Sequence, residues 1–285
     1  MKEKTQRVSK GDSSKNLMVT VSGGRSSAMM ARHIQTAKKY KDYNKIYIYA
    51  NTGQERKETI DFLKNIVKYW KIDLNIIEAV GSNVMGIGIN YKVVNFKNLS
   101  MNSDPFKAVI RHKNKGTFDG LPNQKSPYCS ESLKTIPCKK FCDDIFGVNN
   151  YKKAIGFRKE DMPKRITFSE CKIDKKRIFP LLTDFYTPVS NLDLNDFWSK
   201  ESFKLNIHGN LGNCELCWKK SDKTLVENIR YGTTSVAWWQ NMEKKYKNTA
   251  YRGRKSIDDL VKLSKEPFTQ KIIFEDNDDG CVCSF

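Results

Sequence analysis

The stretch MVTVSGGRSS, residues 18–27, decides the fold. Its apolar first half, Met18 to Val21, is typical of a strand buried on both faces. The run stops at two glycines and three serines, and apolar residues at helical spacing follow over residues 27–40. A strand that passes through glycines directly into a helix forms either a tight turn or a cradle for an anion.

Strands and helices continue to alternate after this first unit. Alternating Ile and Tyr in KIYIYA predict a second strand at 45–50, and the apolar stripe of ETIDFLKNIVKYW predicts a helix at 58–70. Further strands are predicted at 74–80 and 151–156. Because strands alternate with helices, we expect an α/β fold with a parallel sheet and helices on both faces.

The remaining segments complete the predicted organisation. Residues 81–124 are polar and rich in Gly and Asn, so we expect an irregular insertion near a site. Helices are predicted at 133–146, at 194–200 and near 221–231. The chain thus divides into a disordered basic arm at 1–16, an α/β domain at 17–204, and a C-terminal region with cysteines, a helix and a tail at 205–285.

The composition narrows the class of partner. Lys and Arg total 51 against 32 acidic residues, a net charge of +19 that favours nucleotides, nucleic acid or acidic proteins. We expect no membrane span and no secretory signal, hence a cytoplasmic protein. For such a protein, eight cysteines indicate metal binding or redox chemistry and not structural disulfides.

The glycine-serine segment predicts a phosphate site. In an open parallel sheet, ligands bind beyond the carboxyl ends of the strands, where this segment lies. Glycines allow close backbone approach, a helix start offers unpaired N–H groups, and Arg25 adds a forked cation. A serine that only caps the helix would leave the two glycines unexplained. The predicted phosphate-binding residues are Ser22, Gly23, Gly24, Arg25, Ser26 and Ser27.

Several motifs, in order along residues 17–200, resemble one superfamily. SGGRSS resembles the PP-loop of the N-type ATP pyrophosphatases and sulfonucleotide reductases, which are adenine nucleotide alpha hydrolase-like proteins. ANTGQERKETIDF (50–62) resembles the DTG…PET segment of phosphoadenylylsulfate (PAPS) reductases, and YKKAIGFRKEDMPKRI (151–166) resembles their strand followed by G-x-R and a second Arg. The resemblance implies a Rossmann-like, HUP-type sheet that binds an adenine nucleotide: PAPS, adenylylsulfate (APS) or ATP.

The resemblance also assigns nucleotide contacts. It implies that Asn51, Thr52 and Gly53 border the adenosine, and that Gly156, Arg158 and Arg165 meet the sulfate or phosphate end. This chain has Arg25-Ser26 where many members have Lys-Asp. That aspartate often helps to hold magnesium in members that use ATP, so its replacement counts against magnesium-dependent ATP cleavage.

The cysteines resemble the ligand set of the iron–sulfur APS reductases. Those enzymes carry a Cys-Cys pair followed by a distant CxxC, whereas here the pair reads Cys129-Ser130 and the CxxC is Cys214 and Cys217. We expect Cys138 to supply the fourth sulfur, with Cys142 as its alternative. Four thiolates suit a [4Fe–4S] cluster or tetrahedral zinc, and a CxxC without metal suits a redox dithiol.

The C-terminal tail supplies the predicted nucleophile. Sulfonucleotide reductases carry a catalytic cysteine on a C-terminal tail in an ECGLH-like motif. This tail reads DDGCVCSF and lacks both that motif and its histidine. Because the resemblance places the nucleophile on this tail, its two cysteines, Cys281 and Cys283, are the candidate catalytic thiolates.

Three functions remain open from the sequence. The first is reduction of a sulfonucleotide by a cysteine thiolate, with a thioredoxin-like reductant and a role in sulfur metabolism. The second is ATP-dependent sulfur transfer to DNA or tRNA, which the charge of +19 favours. The third is nucleotide binding without catalysis, which the altered cysteine pair and the missing acid favour.

Overall fold

A six-stranded sheet organises the computed structural model, which describes residues 15–82, 88–114, 120–207 and 211–267. The strand order is β4-β3-β2-β1-β5-β6, and every neighbouring pair is parallel except β3 and β4. This confirms the predicted Rossmann-like α/β fold. The strands are β1 (Asn16–Thr20), β2 (Asn44–Asn51), β3 (Leu74–Gly81), β4 (Ile89–Val94), β5 (Lys152–Ala154) and β6 (Arg177–Ile178).

Helices connect the strands and form the C-terminal region. They are α1 (Arg25–Thr36), α2 (Lys57–Trp70), α3 (Asp104–Asn114), α4 (Tyr128–Ser130), α5 (Ile136–Phe146), α6 (Phe168–Ile173), α7 (Pro180–Thr183), α8 (Asn191–Lys200), α9 (Asp222–Arg230), α10 (Val236–Tyr246) and α11 (Ile257–Lys265). A π-helical segment, Glu131–Thr135, joins α4 to α5.

Alternation along β2 places one hydrophobic cluster on each face of the sheet. Tyr47 and Tyr49 belong to the cluster that includes residues of α1, α2 and α8, whereas Ile46 and Ile48 belong to the cluster that includes α5. Successive side chains of a strand point to opposite faces, so the period of two in KIYIYA produces this division. Helices therefore cover both faces, as predicted.

The expectation of an irregular insertion at 81–124 was wrong. This segment contains the antiparallel edge strand β4 and the helix α3. In β4, Ile89 is buried while Val93 is 54% exposed, a pattern typical of an edge strand with only part of one face covered. The alternation of apolar residues in this segment is weak and Asn and Gly residues surround it, so the sequence pattern predicts neither element.

The N-terminal boundary also differs from the prediction. Residues 1–14 of the predicted arm lie outside the described residues, and β1 already includes Asn16. The Asn16 side chain donates to the Asn150 carbonyl at 2.9 Å and accepts from Asn44 at 2.9 Å. These bonds fix the start of β1 against the segments that precede β5 and β2.

The C-terminal region has a hydrophobic cluster of its own. Trp239, Leu225 and Ile257 of the three terminal helices pack with Phe106 of α3 and with Leu133 of the π segment. Only the first of these helices, near 221–231, was predicted. Among the described residues, none of the helices has the length and apolar character needed to cross a membrane.

A buried carboxylate ties the end of α1 to α7. Asp184 accepts hydrogen bonds from Lys39 at 2.5 Å, Tyr40 at 2.6 Å and His33 at 3.1 Å. Burial opposes ionisation of Asp184, but its bonds to His33, Lys39 and Tyr40 outweigh burial and lower its pKa to about 2. The carboxylate thus stabilises the fold most when it is ionised.

We expect Asp184→Asn to lower the free energy of unfolding by about 2 kcal/mol at pH 7, because charge-assisted bonds to a buried acceptor are lost. The folded pKa lies below that of the unfolded chain, so the difference from wild type should stay constant above pH ~5 and shrink as pH falls from ~4 towards 2. Urea unfolding across this range measures it. Asp196→Asn, which breaks an exposed pair with Lys200, is the control and should have little effect.

Candidate functional site

The glycine-serine turn between β1 and α1 is held by its own atoms. The Ser22 N–H donates to Ser27 Oγ at 3.0 Å, and that hydroxyl donates to the Gly24 carbonyl at 3.0 Å. No side chain caps α1 at Gly24, and its first turn contains no acidic residue. The positive end of the helix dipole is therefore not compensated by a carboxylate within the turn, which is the arrangement that favours a bound anion.

Two glycines allow other segments to approach the turn closely. Gly23 has φ +79°, and a Cβ there would lie 2.5 Å from Thr59 Cγ2 of α2. A Cβ on Gly156, just beyond β5, would lie 3.1 Å from Ser27 Cα. Side chains at either position would displace these neighbours. The predicted turn residues and Gly156 are thus in direct contact, although 129 positions separate Gly156 from Ser27.

Two arginines meet beside the turn. Arg25 donates to Asn195 Oδ1 at 2.8 Å, and Arg158 donates to Asn191 on the same helix, α8. Burial, and then the positive charge of Arg158, lowers the pKa of Arg25. Two neighbouring guanidinium groups repel each other, and an anion between them would relieve that repulsion. Each retains N–H groups suited to bidentate recognition of an oxyanion.

Arg165 has a different environment from Arg158. Its Nε lies 3.3 Å from Asp161 Oδ1, and its guanidinium lies over the Phe157 ring at 5.6 Å. Asp161 also accepts from the Arg158 backbone N–H at 2.8 Å. Arg165 therefore pairs with an acid that shapes the loop, and its predicted contact with a nucleotide stays a prediction.

The second predicted turn, Asn51 to Gly53, is buried. Asn51 Nδ2 donates to Glu78 Oε1 at 2.7 Å and to the Ser100 carbonyl at 2.8 Å. Thr52 Oγ1 donates to Glu55 Oε1 at 2.8 Å. Both predicted residues are completely buried, so their side chains hold the turn together and do not face an open cleft. Gly53 adopts φ +77°, which favours glycine at the bend.

Three of the four predicted sulfur ligands line one small cavity. Cys129, Cys214 and Cys217 share it with Lys134 and Thr52, and its volume is about 20 Å³, enough for roughly one water molecule. Thr52 Oγ1 lies 3.4 Å from Cys214 Sγ. Trp218 Nε1 donates to Cys129 Sγ at 3.4 Å. The CxxC is thus beside the first cysteine, despite the sequence distance between them.

A short antiparallel bridge attaches the CxxC to the end of β2. Glu55 pairs with Cys214, and the Glu215 N–H donates to the Gln54 carbonyl at 2.9 Å. Burial raises the pKa of the Glu55 carboxyl, while the charge of Lys134 and the hydrogen bonds from Thr52 oppose that rise. The thiols therefore border a buried acid, a buried lysine and a buried hydroxyl, a polar setting within an apolar shell.

Cys138, the fourth predicted ligand, is not among the residues that line this cavity. It is fully buried in the cluster between α5 and the sheet, together with Cys142. Burial raises the pKa of the Cys138 thiol to about 12. It lies nine residues beyond Cys129 along the helical stretch, roughly 13 Å at 1.5 Å per residue. The four thiols predicted as one ligand set are thus divided between two places.

The described thiols do not form a ready metal site. Within residues 15–82, 88–114, 120–207 and 211–267, no three His, Cys, Asp or Glu side chains are arranged to hold a metal ion. Binding of zinc or a [4Fe–4S] cluster therefore stays a prediction.

A larger cavity of about 610 Å³ adjoins the cysteines, and Gln54 lines both. Arg56 and Trp238 contribute to its walls. Arg56 is 6% exposed, and its Nη1 lies 3.8 Å from Glu215 Oε1. Sequence reasoning missed Gln54, Glu55 and Arg56. The sequence carried no signal for them, because a polar triplet directly after a turn is typical of an exposed loop, and their burial depends on the distant segment that carries Cys214.

The predicted nucleophiles Cys281 and Cys283 lie outside the described residues. Their catalytic role stays a prediction. The position of the chain end relative to the arginine pair is likewise outside the described part of the chain.

Comparison with known proteins adds one relative. No protein-family model matches the chain. The chain is 29% identical over 260 residues to an uncharacterized nin region protein, ORF290, of Escherichia phage lambda. The match covers 87% of this chain and 85% of the phage protein, so the likeness extends beyond the parallel sheet. That name states no activity, and a functional assignment must rest on the site itself.

We expect Gly23→Ala to destabilise the protein by about 2 kcal/mol or more, because φ +79° is strained for alanine and the new Cβ meets Thr59. Gly24→Ala is a matched control: φ is −98°, and its Cβ would lie 3.5 Å from Ser22 Oγ. Denaturant unfolding measures both. Thr59→Ser removes the obstructing methyl group and should partly restore Gly23→Ala. Equal stability of the two alanine variants would contradict this account of the turn.

A second experiment examines the division of the cysteines. We expect Cys214→Ala to lower the zinc or iron content of anaerobically purified protein, and Cys138→Ala to leave it unchanged, because only Cys214 lines the shared cavity. Metal analysis by mass spectrometry and absorbance near 400 nm report the content. Loss of metal from Cys138→Ala with retention in Cys214→Ala would show that the ligand set lies elsewhere.

Proposed function

We propose that the protein binds an adenine nucleotide at the carboxyl edge of its sheet and uses it in sulfur chemistry, as a PAPS reductase-like enzyme. One observation carries the proposal. The glycine-serine turn, the arginine pair and a cysteine cavity belong to distant parts of the sequence, yet all adjoin the carboxyl ends of β1, β2 and β5. Ligand sites of open parallel sheets lie at this edge.

The turn and the arginines have complementary tasks in this proposal. Backbone N–H groups at the start of α1 bind a phosphate, because the helix dipole favours negative charge there. Arg25 and Arg158 bind the sulfonate or phosphate end through their forked donors. Fixed cations stabilise negative charge that develops on the leaving phosphate oxygen, so the same groups lower the barrier.

The chemical step is a two-electron reduction. A cysteine thiolate, assigned to Cys281 or Cys283, attacks the sulfur of the sulfonate group and forms an S–S bond as the S–O bond to the nucleotide phosphate breaks. The nucleotide leaves with that oxygen and its electron pair. A dithiol protein of the thioredoxin type then attacks the cysteine sulfur. That attack releases sulfite and leaves a mixed disulfide, which the second thiol of the dithiol protein breaks, so the cysteine thiol is regenerated and the dithiol is oxidised to a disulfide.

The cavity beside the cysteines favours a second candidate function. It has a volume of about 610 Å³, and the partly exposed Trp238 in its lining is an aromatic ring of the kind that stacks on bases, whereas Arg56 in the same lining is buried beside Glu215. Together with the net charge of +19 on the whole chain, this cavity supports sulfur transfer to DNA or tRNA after ATP is cleaved to AMP and pyrophosphate. The serine at position 26, where the resemblance has an acid, counts against this candidate.

One assay set separates the candidates. Wild-type protein is incubated with PAPS or APS and a dithiol, and in parallel with ATP, and sulfite and pyrophosphate release are measured. We expect sulfite release, lowered at least about tenfold in kcat/KM by Arg158→Gln because an oxyanion contact is lost. Arg111→Gln, an exposed arginine on α3, is the matched control and should leave kcat/KM unchanged.

The outcomes are distinct. Pyrophosphate release without sulfite, with binding to DNA or tRNA that weakens steeply with salt, would support the second candidate. Sulfite release that survives Cys281→Ser together with Cys283→Ser would refute the assigned nucleophiles. Absence of binding of any labelled adenine nucleotide would refute the whole proposal.

A further inference from the structure

A separate cavity of about 420 Å³ lies at the opposite end of the sheet from the candidate site. Tyr151 and Lys153 contribute from the start of β5, and Lys176 and Arg177 contribute from the start of β6. Lys139 of α5 forms another wall. Parallel strands place these amino ends together, just as they place the glycine-serine turn at the other edge. Its volume is in the range of small-molecule sites.

Positive charge dominates the lining. Lys139, Lys153, Lys176 and Arg177 face one lining acid, Asp174. Asp174 pairs with Arg177 Nε at 2.6 Å. Lys139 pairs at 2.5 Å with Asp143, outside the lining. Within the described part of the chain, Lys153 and Lys176 form no ion pair with a carboxylate, so the cavity carries uncompensated positive charge.

Lys153 is the central group. It lies on β5 beside Met18 of β1, and its side chain is largely covered. Burial lowers the pKa of its ammonium to about 8, although the neighbouring Cys138 opposes the shift. The charge of Arg177 lowers this pKa further. Removing an ammonium from water without a counter-charge costs free energy, and an anion in the cavity would supply that charge.

The walls are fixed before any ligand binds. Tyr151 Oη donates to the Lys139 carbonyl at 3.3 Å and to Asp143 Oδ1 at 3.2 Å, which joins β5 to α5. Asp174 accepts from the Lys176 and Arg177 backbone N–H groups, each at 2.8 Å. The backbone of both cationic walls is therefore held by hydrogen bonds, so the segments that carry the cations need not be ordered on binding.

We propose that this cavity binds a phosphorylated small molecule with two or more anionic groups, at a site distinct from the glycine-serine turn. Two observations favour a small molecule over a nucleic acid backbone. The site is concave, and its central lysine is partly covered within it, while Lys139, Lys176 and Arg177 around it are exposed. This inference is independent of the function proposed for the carboxyl edge.

The test uses pyrophosphate as the probe with the full-length protein. The protein is acetylated briefly at pH ~8 with an amine-reactive ester, and the labelling of each lysine is measured by peptide mass spectrometry. We expect pyrophosphate to slow Lys153 acetylation about tenfold, and to leave Lys152, its neighbour on the opposite face of the strand, unchanged. Potassium chloride at equal ionic strength is the control for screening.

Variants separate this cavity from the turn, where pyrophosphate can also bind. Lys176→Met, an exposed substitution, should weaken the protection of Lys153 about tenfold, whereas Lys175→Met, next to it but outside the lining, should not. Arg158→Gln should leave the protection intact. The proposal is overturned by lack of protection at millimolar pyrophosphate, by equal protection from potassium chloride, or by loss of protection in Arg158→Gln.

Discussion

Parallel pairing of β1 with β2 on one side and with β5 on the other is the constraint on which the candidate site depends. It makes three distant segments leave the sheet at one edge. The pairing extends past the end of β1, where the Val21 N–H donates to the Ile48 carbonyl at 2.9 Å. Beyond that point the chain turns, and glycine is required where a neighbour comes too close for a Cβ: Gly23 against the Thr59 side chain of α2, and Gly156 against the Ser27 backbone.

The C-terminal region forms part of this edge of the sheet, through a short bridge to the segment after β2. Its bridge to Glu55 covers Thr52 and Glu55, which would otherwise stand in water at the end of β2. The same bridge brings Cys214 and Cys217 to the cavity of Cys129. A displacement of the bridge would therefore move the cysteines and the second turn together, which couples the thiols to the strand ends where we propose that a nucleotide binds.

Local patterns in the sequence predicted the helices and strands better than the long-range contacts between them. The predicted helix at 58–70 nearly matches α2, because its apolar stripe reports burial directly. The predicted helix at 27–40 runs too far, since the chain leaves the helical conformation at Ala37, with ψ 132°. The burial of Glu55 could not be predicted, because it requires a contact with Cys214, 159 residues away.

The cysteines illustrate the same limit. Spacing placed Cys214 and Cys217 on one loop, but spacing alone does not say which sulfur faces which cavity. Cys138 and Cys142 are four residues apart and share a helix face, as the pattern indicates, yet that face packs on the sheet. Burial against apolar neighbours, and not distance along the chain, decided their environment.

The bond between Asn51 and Glu78 restricts which residues these two positions can hold. Glu78 is completely buried and accepts from Asn51 at 2.7 Å and from the Ser100 N–H at 2.6 Å, and its Oε2 forms an ion pair with Lys92 Nζ at 2.8 Å. The resembling family has aspartate where this chain has Asn51, and two carboxylates so close in the interior cannot both stay ionised. The amide and the glutamate therefore form a matched donor and acceptor, and an aspartate at position 51 would remove the donor and add a second carboxylate beside Glu78.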